Sequence, residues 1–191
     1  IPRESFVTVT VPENKVEELT AFVAEFEALV KEKFAAVEPE MSITIVPAEM
    51  PAKVIDKQTI ANLIEAVAKY PNGVIAMSKD FEGTVETSSN LAIVKLEGDH
   101  IMTASLQRSL VDASKDELAA EMRKVLESCG ARAESTGSYP GWKPNINSII
   151  YNTMKKVYEE KYGKTPKTMV IHAGLECGIL GSKYPNWDMV S

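Results

Sequence analysis

Apolar positions along the first third of the chain change period twice. Over 6–11, Val7, Val9 and Val11 alternate with Phe6, Thr8 and Thr10, which is the period of a strand, and Pro12 closes it. Val16, Leu19, Phe22, Val23, Phe26, Leu29 and Val30 then recur at helical spacing with Glu and Lys opposite, predicting one amphipathic helix over 13–37 that Pro39 ends. A second strand is expected over 41–46. Ile60, Leu63, Ile64 and Val67 predict a second helix that stops before the turn Pro71-Asn72-Gly73. Period two returns over 74–77, 85–87, 91–96 and 101–107, and Gly98-Asp99 makes an antiparallel hairpin of the last two. Ser114 and Glu117 have the spacing of a capping box ahead of Leu118, Met122, Val125 and Leu126, a helix that Gly130 ends before a strand over 131–137.

This order predicts an α/β (α+β) chain whose antiparallel sheet carries helices on one face, as in split β-α-β or ferredoxin-like units. Tyr139-Pro140-Gly141-Trp142-Lys143-Pro144 is a rigid connection, and a boundary is placed there, giving domains 1–140 and 141–191. Beyond it Ile149, Ile150, Met154, Val157 and Tyr158 predict a helix ended by Gly163. A buried strand over 168–172, a short helix from about Gly174 and a strand over 188–190 follow, the grammar of a partial α/β sheet.

At 191 residues, 45% hydrophobic and 25% charged, the composition is that of an ordinary folded domain. A net charge of −6 with dispersed Lys and Arg argues against nucleic acid as a partner. No apolar run reaches the roughly 20 residues of a membrane span, and the first residues are no signal peptide, so no membrane partner and a cytoplasmic location are expected. Cys129 and Cys177 read as two free thiols. The start at Ile1 and the stop at Ser191, just after Met189 and Val190, read as cut ends of a longer polypeptide.

Few residues carry chemistry on their own. His172 and Glu176 are four apart beside Cys177, a spacing that suits two metal ligands on a helix but fails if His172 ends a strand. A Cys177/His172 nucleophilic pair is weighed against an inert buried thiol, with no oxyanion hole or orienting Asn or Asp in view. His100 reads as a solvated turn residue. Arg108 ends a strand, where its planar fork suits a carboxylate, and a surface salt bridge to a glutamate is the plain alternative. Gly174, between a strand and a helix, either lets backbone N–H groups approach an anion or only makes the turn.

Five segments together carry a resemblance: Ile1-Pro2-Arg3-Glu4, Val85-Glu86-Thr87-Ser88-Ser89-Asn90, Gln107-Arg108-Ser109, Gly137-Ser138-Tyr139-Pro140-Gly141-Trp142-Lys143-Pro144 and His172-Ala173-Gly174-Leu175-Glu176-Cys177-Gly178. Over its whole length the chain resembles the aminoacyl-histidine dipeptidases (Xaa-His dipeptidases, peptidase D). The resemblance implies a di-zinc hydrolase of dipeptides such as carnosine, with a catalytic α/β domain and an inserted lid that takes part in homodimer formation. Residues 1–140 are then the lid/dimerisation domain and 141–191 part of the catalytic domain. The zinc ligands and the general base have no counterpart here, so this chain alone is expected to be inactive. Arg108 resembles the lid arginine that binds the substrate's terminal carboxylate, and Gly174 resembles a backbone contact to the substrate. His172, Glu176 and Asn90 receive no role. The competing reading is a non-catalytic ferredoxin-like module for a small ligand or for dimerisation. A cysteine hydrolase is a third.

Overall fold

The first helical stripe folds where its period places it, as a 3-10 turn at Glu13–Lys15 followed by helix α1 (Val16–Phe34). It belongs to a computed structural model that describes residues 3–145, 147–171 and 176–191. The helix stops short of Val37 because the amides of Val37 and Glu38 both turn back to the carbonyl of Phe34, at 3.0 and 2.8 Å. The chain divides into two compact units, Arg3–Asp56 and Lys57–Ser191.

In Arg3–Asp56 the strands expected over 6–11 and 41–46 are not formed. Both segments have the side-chain alternation of a strand, but a strand also needs a neighbour to take its backbone hydrogen bonds, and none pairs with them among the described residues. What ties 41–46 to α1 is a side chain: the Glu27 carboxylate accepts from the backbone N–H of Ile43 at 3.2 Å while paired with Lys31 at 2.7 Å. The Lys31 ammonium, and after it the Ile43 amide, hold the Glu27 carboxyl below its ordinary pKa. No described residue of this unit is buried, and Phe22, Phe26 and Leu29 of the α1 stripe remain exposed.

Lys57–Ser191 holds the core. Helix α2 (Lys57–Lys69) leads through Asn72 and Gly73 into strand β1 (Gly73–Met77), followed by β2 (Val85–Glu97) and β3 (His100–Ser109). The sheet is antiparallel in the order β1-β2-β3. The expected turn Pro71-Asn72-Gly73 is present: Gly73 takes φ 90° and the Asn72 side-chain oxygen accepts from the backbone of Leu91 at 2.8 Å. The two strands expected over 85–87 and 91–96 are one, irregular where Leu91 faces Ser105 but Ile93 faces Ala104. That extra residue is a bulge, and it moves the inward positions of β2 from odd to even numbers. At the hairpin Gly98 takes φ 64° while no described non-glycine residue has positive φ, the arrangement of a turn with glycine at its first central position.

Helix α3 (Asp112–Ser128) packs on β3 and touches α2, so both helices lie on one face of the sheet, as the mixed helix and antiparallel-sheet class predicts. Its start corrects the capping box. Ser114 is the third residue of the helix, and its hydroxyl reaches Glu86 rather than a backbone amide. Ser109 serves the entry instead, accepting from the amide of Val111 at 3.0 Å. The C-terminus follows expectation: Gly130, at φ 81°, donates to the Glu127 carbonyl and Ala131 to that of Leu126, both at 3.0 Å.

The strands expected over 131–137 and 188–190 are absent, as is that over 168–171, His172 lying outside the described residues. Helix α4 (Ile149–Tyr162) is capped twice, by Ser148 accepting from Tyr151 at 2.9 Å and by Asp188 accepting from Ile150 at 3.0 Å. A carboxylate there meets unpaired amides and the positive end of the helix dipole. That explains why 188–190 runs against α4 instead of entering a sheet. Helix α5 (Glu176–Lys183) closes the chain, with Cys177 and Gly178 buried.

Candidate functional site

Strand alternation decides what Arg108 can do. On β3, Ser105, Gln107 and Ser109 face the helices: the Tyr70 hydroxyl, just after α2, meets Ser105 at 2.6 Å, and Ser109 meets Thr87 of β2 at 2.9 Å. Ser89, on the same side, donates to the sulfur of Met122 in α3 at 3.9 Å. Arg108 therefore belongs to the opposite set, with Ser88 as its cross-strand partner and Asn90 beside it across from Leu106. It is exposed, and no ion pair among the described residues involves it. Among the described residues, the plain alternative of a surface salt bridge to a glutamate is not formed.

The strand end that carries Arg108 is fixed from below. Ser109 and Leu110 are 6% and 4% exposed, and the Leu110 amide donates to the Glu86 carbonyl at 3.0 Å. A strand positions the side chain it carries more precisely than a loop does. Beside this strand end, β3 and its flanking helices border an open cleft of about 850 Å³ that residues of the 129–141 segment also line. The cleft's polar groups Tyr70, Ser105 and Gln107 bond one another, Gln107 donating to Ser105 at 2.7 Å.

Sequence reading missed the group that organises the connection after α3. Asp112, in the first turn of α3, accepts from Lys115 and from the backbone N–H of Gly141, each at 2.8 Å, and Lys115 also donates to the carbonyl of Tyr139 at 2.8 Å. The i,i+3 spacing of the two charges was visible, but their partner lies 29 residues away. The Lys115 ammonium, and after it the Gly141 amide, hold the Asp112 carboxyl below its ordinary pKa of 3.8. A depressed folded-state pKa means that the stabilisation is fully present above pH 3.8 and is lost as pH falls through the lowered value. Stabilities of the wild type and Asp112→Asn from urea denaturation should therefore differ at pH 6, by about 1 kcal/mol or less with the carboxylate half exposed, and converge as pH falls through the lowered value. A difference that persists at pH 2 would rule the charge out as its source.

The remaining expectations separate. His100 is an exposed residue at the hairpin, 3.3 Å from Asp99. Cys129 and Cys177 are buried free thiols. Gly174 and His172 lie outside the described residues, and with them the metal and nucleophile readings that pair His172 with Glu176 or Cys177. Among the described residues no three His, Cys, Asp or Glu side chains come together as a metal cage. No helix among them is long and apolar enough to cross a membrane.

No protein-family model matches the chain. It is 34% identical over all of its 191 residues to the cytosol non-specific dipeptidase of Escherichia coli (strain K12), covering 39% of that protein. The crystal structure of the aminoacylhistidine dipeptidase from Vibrio alginolyticus superposes with a TM-score of 0.89 at 35% identity, over 94% of this chain and 36% of the other. The chain thus spans about two fifths of the length of the curated relative it matches.

Proposed function

We propose, because this chain belongs to the peptidase D-like dipeptidases, that it is the part of a cytoplasmic dipeptidase that receives the substrate's carboxylate. The substrates are Xaa-His dipeptides such as carnosine. The observation that carries this reading is Arg108, a guanidinium without an ion pair among the described residues, on the outward face of a strand end, in a chain alike in fold to an aminoacylhistidine dipeptidase. A guanidinium in that setting holds a carboxylate through two parallel N–H···O bonds and so fixes which end of a dipeptide points to the scissile bond. Gly174 is assigned a backbone contact to the same substrate, on the resemblance alone.

On this reading residues 1–140 act as a lid that also takes part in homodimer formation, and 141–191 belong to the catalytic domain. Zinc is the metal proposed for the whole dipeptidase. The described residues do not fit a metal cage, so no catalytic step is assigned to them through the metal. Their part is to bind and orient the dipeptide.

Carnosine hydrolysis by this chain and by a full-length dipeptidase containing it, each with added zinc and with a chelator, tests the reading. Activity in the full-length protein alone, stopped by the chelator, is the expected result. Hydrolysis by the 191-residue chain would overturn the placement of the metal site. Inactivity of both would favour a non-catalytic ligand-binding or dimerisation module.

A further inference from the structure

The segments 139–141 and 176–178 meet beside the strand end that carries Arg108, and they meet backbone to backbone. A Cβ on Gly178 would stand 2.7 Å from the carbonyl oxygen of Pro140 and 3.0 Å from that of Gly141. A Cβ on Gly141 would stand 3.0 Å from the carbonyl oxygen of Ser109 and 3.4 Å from those of Leu110 and the Asp112 carboxylate. Neither glycine is needed for positive φ. Gly178 is needed for space, because the obstructing atoms are backbone, and at Gly141 a side chain fits only if the Ser109 backbone or the carboxylate bonded to Gly141 gives by a few tenths of an ångström.

We propose that Gly178, Gly141 and Asp112 are positioning residues for Arg108: helix α5 sets the Pro140-Gly141 peptide, which sets the Ser109-Leu110 strand end one residue beyond the guanidinium. Asp112 locks the stack by holding the Gly141 N–H, and Lys115 holds Tyr139 on its other side. The inference rests on the carboxylate-binding role of Arg108. It goes further by linking that role to α5, so that a shift at α5 moves the fork that reads the substrate carboxylate.

The test uses a full-length dipeptidase and the ratio of KM for a dipeptide amide to KM for the free dipeptide. That ratio measures carboxylate recognition. Partial unfolding lowers the amount of active enzyme for both substrates equally and leaves it unmoved, so a merely structural role is excluded by the readout. Arg108→Ala should abolish the preference for the free carboxylate. Gly178→Ala should lower it about tenfold, as a misplaced contact does. Asp112→Ala should lower it about threefold, and Asp112→Asn, which keeps an oxygen for the Gly141 N–H, should lower it less. If Gly178→Ala does not fold, the two Asp112 variants decide. Loss of preference in Arg108→Ala with an unchanged ratio in the Gly178 and Asp112 variants overturns the positioning role and leaves the carboxylate reading standing. An unchanged ratio in Arg108→Ala overturns both.

Discussion

Arg108→Ala, in a full-length dipeptidase carrying this segment, is expected to raise KM for free dipeptides about ten- to a hundredfold, the weight of a charge-assisted hydrogen bond of roughly 1.5–3 kcal/mol. Metal content should stay the same, since no described cluster at or near Arg108 could hold a metal. The effect should fall on KM more than on kcat, because a contact to the far carboxylate is made in the bound substrate as well as in the transition state. Arg108→Lys should recover only part of the loss, an ammonium being a point charge without the planar fork. The size of the effect depends on the guanidinium having no protein carboxylate to replace, which is its state among the described residues. Steady-state kinetics with a dipeptide and its amide decide the matter: unchanged KM for the free dipeptide would remove Arg108 from the site.

The helices were legible in the sequence and several strands were not, for one physical reason. A helix closes its backbone hydrogen bonds on itself, so the apolar stripe of Val16–Phe34 is enough to locate α1 even where nothing is buried. A strand's alternation fixes only its two faces. Residues 6–11 and 41–46 have that alternation and no paired neighbour among the described residues, whereas 85–97 and 100–109 have each other. Where a partner exists, the hairpin at Gly98 follows the turn chemistry closely. The bulge between Leu91 and Ile93 escaped notice because a one-residue insertion in a period-two pattern looks, along the sequence, like the end of one strand and the start of another.

The site shows the same division between local and distant signals. The place of Arg108 at a strand end was legible because the end of a strand is a local feature, whereas its pairing with a substrate carboxylate comes from the resemblance alone. Asp112 and Gly178 were not legible, since what they touch lies far along the chain: Gly141 is 29 residues from Asp112, and the carbonyl that excludes a side chain at Gly178 belongs to Pro140. The capping-box error has a similar origin. Ser114 and Glu117 have the right spacing, but Ser109, held against Thr87 across the sheet, already takes the Val111 amide, and the helix begins two residues before Ser114. Tertiary contacts chose between two local options that the sequence left equal.

Leu118→Ala should be among the most destabilising single truncations of the described residues in Lys57–Ser191, at about 2–4 kcal/mol. Leu118 and Met122, one helical turn apart on α3, are 4% and 3% exposed and form the buried side of the helix that packs on β3. Among the described residues of the unit, Leu110 is the other large side chain as deeply buried, so the loss is shared among few neighbours. Phe26→Ala on α1 is the matching control. It removes a larger side chain, but one that is 47% exposed in a unit without a buried residue, and its cost in this chain should stay under about 1 kcal/mol. Urea denaturation of the 191-residue chain, followed through α-helical circular dichroism, separates the two: Leu118→Ala shifts the midpoint strongly and Phe26→Ala barely. Equal shifts would mean that the packing of α3 on the sheet is not what holds this unit together, and the rigid strand end under Arg108 would lose its foundation with it.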